Sequence, residues 1–75
     1  MYIAWEARML VYTQNSVYQV TARDNHFEVT KVAESRSSAA ATIGETFRAE
    51  SIYVRVGGRA KLGDFETSKV TKIVS

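Results

Sequence analysis

Apolar and polar positions alternate with period two over most of this chain. In residues 2–13, Ile3, Trp5, Ala7, Met9 and Val11 fall on one face, with Tyr2, Ala4, Glu6, Arg8, Leu10 and Tyr12 on the other. This predicts one long strand. Good helix formers between Ala4 and Leu10 compete, but aromatic and β-branched residues at both ends favour the strand. Gln14-Asn15-Ser16 marks a turn. Residues 17–22 give a second strand with Tyr18 and Val20 inward. Asp24-Asn25 gives a second turn, because both residues tolerate left-handed backbone. Residues 26–32 give a third strand, Phe27 and Val29 inward. Trp5, Tyr18 and Phe27 are the expected aromatic core.

The alternation stops over 34–45, whose middle is Ser35-Arg36-Ser37-Ser38-Ala39-Ala40-Ala41-Thr42. This stretch reads as a long Ser/Ala loop or as one helical turn capped by Ser37 or Ser38. A strand then runs from Thr46 through Val56, Gly57-Gly58 turns the chain, and residues 59–62 return. Gly63-Asp64 turns it again into a last strand, 65–74, with Val70 and one of Ile73 or Val74 packed. Short strands with regular turn signals predict an all-β fold. The expected architecture is a five- or six-stranded antiparallel SH3-like or OB-like barrel, residues 1–75 forming a single domain.

The 53–62 hairpin admits two registers. A two-residue Gly57-Gly58 loop pairs Val56 with Arg59 and Val54 with Lys61, mixing apolar and charged residues on one face. A three-residue loop, 57–59, pairs Val56 with Ala60, Val54 with Leu62 and Arg55 with Lys61, which separates the two classes. The second is the expected register. It sets two cations opposite each other, a mildly destabilising arrangement that Glu50, Asp64, Glu66 or an anionic partner would relieve.

Composition narrows the function. A chain of 75 residues buries only about 60–65% of its unfolded surface, so the core is small and no large enclosed active site fits. There is no cysteine, which excludes disulfides, thiolate metal sites and a cysteine nucleophile. A small domain without such staples is expected in a reducing, cytoplasmic setting. Residues 1–6 lack a signal-peptide pattern, and no segment approaches the roughly 20 apolar residues of a membrane span. The net charge is +2, but it is unevenly placed. Residues 1–47 carry four Arg/Lys and five Asp/Glu; residues 48–75 carry six Arg/Lys and three acids. The last third is therefore where an anion would be met.

Catalytic chemistry has little to stand on. His26 is the single histidine, and a triad with Ser16 and Asp24 exists on paper only. No spaced metal-ligand set, phosphate loop or dinucleotide fingerprint is present, so no cofactor or metal is expected. The candidate binding residues are Tyr53, Arg55, Arg59 and Lys61, with Lys69 and Lys72 as flanking contacts. An exposed aromatic beside cations suits stacked bases and phosphates, and equally suits a protein interface.

Thr13-Gln14-Asn15-Ser16-Val17-Tyr18-Gln19-Val20 resembles a T-x-N-S-x-Y-x-V opening of small uncharacterised phage and bacterial proteins. Asp64-Phe65-Glu66-Thr67-Ser68-Lys69-Val70-Thr71-Lys72-Ile73 resembles their closing T-S-x-V-x-x-I. Lys69 stands where those proteins would carry proline, and the strand at 2–13 is additional. The resemblance implies a phage or mobile-element origin and supplies no functional residue. The sequence thus points to a non-enzymatic β-barrel binding module that meets another protein or itself, a homodimer through sheet edges included. The alternative is a nucleic-acid-binding protein using the basic hairpin.

Overall fold

The computed structural model describes residues 8–34 and 43–75. Among them there is no helix, and seven strands form one antiparallel sheet: β1 (Arg8–Thr13), β2 (Ser16–Ala22), β3 (Phe27–Glu34), β4 (Thr46–Ala49), β5 (Ile52–Tyr53), β6 (Arg59–Leu62) and β7 (Phe65–Val74). The order across the sheet is β4-β3-β2-β1-β7-β6-β5. The all-β expectation holds, with seven strands where five or six were expected. The extra strand arises because the run through 46–56 breaks at Glu50-Ser51, and residues 54 and 55 belong to no strand. The first half of the expected 2–13 strand, Trp5 and the Ser/Ala stretch 35–42 lie outside the described residues.

The break has a geometric cause. β4 and β5 are the opposite edges of the sheet, yet only Glu50 and Ser51 separate them in sequence. In a flat sheet, six strand spacings would hold these edges about 29 Å apart. The three Cα steps from Ala49 to Ile52 span at most about 11 Å. The sheet must therefore curl into a half-barrel that brings its own edges together. A contact at the seam bears this out: a Cβ on Gly63, just past the end of β6, would lie 3.3 Å from the Cβ of Ala49 on β4.

Curling creates an inside. Val11, Tyr18, Val20, Val29, Ala49, Ala60, Leu62 and Val70 are buried there, with Met9, Phe27, Phe47, Ile52, Val54 and Phe65 packed around them. Phe65 meets Tyr18 and Phe47 edge to face, at 5.6 and 5.5 Å between ring centroids. Phe47 is on β4 and Phe65 on β7, four places apart in the sheet, so their rings meet across the interior. Each such pair adds about 0.5–1.5 kcal/mol beyond simple burial. Ile73 and Val74 are both substantially exposed, contrary to the expectation that one would pack. They lie at the end of β7, beyond the buried stretch that closes at Val70.

One polar residue joins the interior. Lys31 follows Phe27 and Val29 at the same parity, lies opposite Tyr18 across β2–β3, and is fully buried. Its ammonium meets the Glu34 carboxylate at 2.6 Å. Glu34 is the last residue of β3 and keeps some solvent contact, so the lysine stem crosses apolar space and its charge ends near the rim.

The turns follow residue chemistry closely. Leu62 pairs with Phe65 around Gly63-Asp64, and Gly63 alone takes positive φ (+67°), the pattern of a type II′ hairpin with glycine first. Thr13 Oγ1 closes the β1–β2 turn, accepting from the Asn15 and Ser16 N–H groups and donating to the Ser16 carbonyl. Asp24-Asn25 does turn the chain, but without left-handed backbone: no described non-glycine residue has positive φ.

Two stability predictions follow from this frame. Gly63→Ala loses on backbone strain and on space at the seam, whereas Gly44 (φ +90°) has nothing within 4 Å of an added Cβ. Urea unfolding is expected to show Gly63→Ala losing about 2–3 kcal/mol and Gly44→Ala about 1 kcal/mol; equal losses would refute the seam contact. Replacing both partners, Lys31→Met with Glu34→Gln, removes the pair without leaving an unpaired carboxylate, so the urea midpoint is expected to equal or exceed that of the wild type. A loss of several kcal/mol would show the ion pair to be a net stabiliser.

Candidate functional site

Strand β6 alternates cleanly: Arg59 and Lys61 face out, Ala60 and Leu62 are buried. The pleat alone sets both cations on the outer face. β7 adds Lys69 directly opposite Arg59, and Glu66 opposite Lys61; β5 sets Tyr53 on the other side of Lys61. Tyr53 is 60% exposed. Four of the six candidate residues, Tyr53, Arg59, Lys61 and Lys69, therefore share one outer face of β5–β6–β7.

The hairpin register differs from the expected one. Tyr53, not Arg55, lies opposite Lys61, and Ile52 lies opposite Leu62. The pairing slides by two residues, which preserves parity and so preserves the separation of apolar from charged faces. The reason lies in the turn. Arg55 to Gly58 close a β-turn, Gly58 N–H donating to the Arg55 carbonyl (3.2 Å), with Gly57 at φ +94° in third place. This is the type II arrangement, which calls for glycine there. The strand β7 then captures both glycines: Gly57 N–H donates to the Val70 carbonyl and Val70 N–H donates to the Gly58 carbonyl. The backbone of 57–58 is thus satisfied by β7 and not by a longer hairpin. Arg55 lies at this turn with its guanidinium folded over Gly58. Lys72 is elsewhere. It lies on the β1 side of β7, its ammonium 4.4 Å from the centre of the Tyr12 ring, a cation–π contact.

The anticipated like-charge pair exists, but between Arg59 and Lys69 on β6 and β7. Of the three carboxylates able to relieve it, Glu50 is held by Arg48 at 2.6 Å. Asp64 and Glu66 make no ion pair among the described residues, and neither do Arg55, Arg59, Lys61 or Lys69. Glu66 lies opposite Lys61, but the Arg59–Lys69 pair has no carboxylate in ion-pair contact among the described residues.

Where the sheet edges meet, an open cleft of about 380 Å³ lies beside this face, lined by residues including Arg48, Glu50, Ser51, Tyr53, Lys61 and Asp64. The single strand expected over 46–56 would leave no room for this cleft. The polar Glu50-Ser51 pair inside an otherwise alternating run was the available sign of a bend.

Other chemistry does not converge. His26 Nδ1 lies 2.9 Å from Asn25 Oδ1, past the far end of β2 from Ser16. The roughly 20 Å length of that strand keeps Ser16 and His26 from forming a triad. No cluster of three or more potential metal-ligating side chains occurs among the described residues. No helix among them is long and apolar enough to cross a membrane. The chain matches no family model, no curated protein and no solved structure.

The opposed Arg59 and Lys69 yield a direct test. Lys69→Glu replaces a repulsive cross-strand pair by an attractive one, with an expected gain of about 0.5 kcal/mol in unfolding free energy at low salt. Unchanged or lowered stability would show that the two side chains do not interact.

Proposed function

We propose that this protein is a non-enzymatic binding module, built on a small SH3-like or OB-like barrel, whose β5–β6–β7 face holds a nucleic-acid backbone. The observation that supports this most is the uncompensated Arg59–Lys69 pair beside Lys61. A cross-strand repulsion left standing in a small domain costs stability, and a polyanion bound across it removes the cost. Phosphates spaced along a strand fit a row of cations on a rigid sheet better than a single small anion does.

A protein partner is the second reading. Tyr53 and Val56 are both more than half exposed near Arg55, and such residues anchor interfaces. Edge-to-edge self-association is less favoured, because the edge strands are short, four and two residues, and they meet at the seam.

Fluorescence anisotropy with labelled single-stranded and duplex oligonucleotides, titrated with salt, decides between these readings. If three cations contact phosphates, log K is expected to fall with log salt at a slope of about −2 for single strands, and Arg59→Glu/Lys69→Glu abolishes binding. Binding that ignores salt, or equal binding of poly-glutamate, would move the assignment to a protein partner.

A further inference from the structure

The cleft at the sheet seam has a lining of mixed character. Tyr53, exposed, and Lys61, its cross-strand neighbour, both line it. So does Asp64, in the tight Gly63-Asp64 turn, its carboxylate without an ion pair or a hydrogen bond among the described residues. Glu50 adds a second carboxylate but is engaged by Arg48. A phosphate belongs on the Arg59–Lys69 side, since the two carboxylates repel it from the cleft. A cationic side chain from a partner is opposed by Lys61 in the wall and by Arg59 and Lys69 beyond it. A neutral, flat group that carries hydrogen-bond donors is what this lining accepts: an aromatic face on which to stack and a carboxylate to accept the donors. At about 380 Å³ the cleft lies near the lower end of the ~300–1,000 Å³ typical of small-molecule sites, a size that suits one such group.

We propose that this cleft receives an unpaired nucleobase bearing an exocyclic amine, with Tyr53 as the stacking wall and the Asp64 carboxylate as the acceptor of the amine. The site rests on the nucleic-acid reading above and sharpens it: the ligand is single-stranded, because a base inside a duplex cannot leave its stack to enter without cost. Cytosine and adenine present an amine where thymine presents a carbonyl oxygen. Cytosine and adenine can therefore donate that amine to the carboxylate, whereas thymine offers it only an N3–H flanked by two carbonyl oxygens, which the carboxylate disfavours. Lys61, between Tyr53 on β5 and Glu66 on β7, is placed to hold the phosphate next to the stacked base.

The test is anisotropy at fixed low salt with labelled oligo-dC, oligo-dA, oligo-dT and a duplex. The wild type is expected to bind oligo-dC and oligo-dA more tightly than oligo-dT. Tyr53→Ala should weaken oligo-dC at least about tenfold, leaving the duplex and the salt slope unchanged, while Tyr53→Phe retains binding. Asp64→Ala should erase the preference by weakening oligo-dC and oligo-dA to the level of oligo-dT. Circular dichroism of each variant establishes that the sheet persists. Equal binding of all three single strands by the wild type, or an equal effect of Tyr53→Ala on single strand and duplex, overturns the base site alone. Absence of salt-dependent binding to any oligonucleotide overturns the nucleic-acid reading itself.

Discussion

Two residues, Glu50 and Ser51, must join strands at opposite edges of a seven-stranded sheet, and the rest of the structure depends on that constraint. It forces the sheet to curl, and curling makes a core possible in so short a chain. An open sheet of these strands would leave its apolar face to water. The seam also explains the residues found at it. Gly63 supplies the positive φ of a tight turn and the absence of a Cβ where Ala49 approaches. A larger side chain at either position would hold the two edges apart.

The interior is small and mostly aliphatic, and it is organised by three aromatic rings that touch across it. Phe65 is central because it follows the seam turn directly and lies between Tyr18 on β2 and Phe47 on β4. Lys31 is the exception to apolar burial. Its stem occupies core space next to Tyr18, and its charge is met by Glu34 at the strand end. A buried charge of this kind is weak evidence for stability; it does fix the register of β3, because a shift by one residue would turn Lys31 outward and Val32 inward.

The outer face shows the opposite economy. The strand pleat that buries Ala60 and Leu62 obliges Arg59 and Lys61 to face solvent, and pairing with β7 brings Lys69 against Arg59. Elsewhere on the surface, Arg23 and Arg48 are matched by Glu28 and Glu50. The contrast between cations held in ion pairs around β3–β4 and cations without such a contact on β6–β7 gives this face its functional interest.

Much of this was legible in the sequence. Period-two alternation located β2, β3 and β6 with their inward residues, since a strand's two faces follow parity; it located β7 and Val70, but a register shift against β6 and the exposed end at Ile73 and Val74 escaped it. Turn residues located four of the reversals, because glycine, asparagine and aspartate are local conformational requirements. The charge excess of residues 48–75 likewise needs no fold to be counted. Parity even placed Lys31 with Phe27 and Val29, although its chemistry argued against burial. What tertiary structure decided was every relation set by distant partners. The Gly57-Gly58 segment went to β7 because Val70 offered it hydrogen bonds, which moved Arg55 away from Lys61 and put Tyr53 there. The bend at Glu50-Ser51, the Arg59–Lys69 opposition and the cleft at the seam all follow from closure. Local sequence fixes which way a side chain points, whereas which side chains meet is fixed by the curl of the whole sheet.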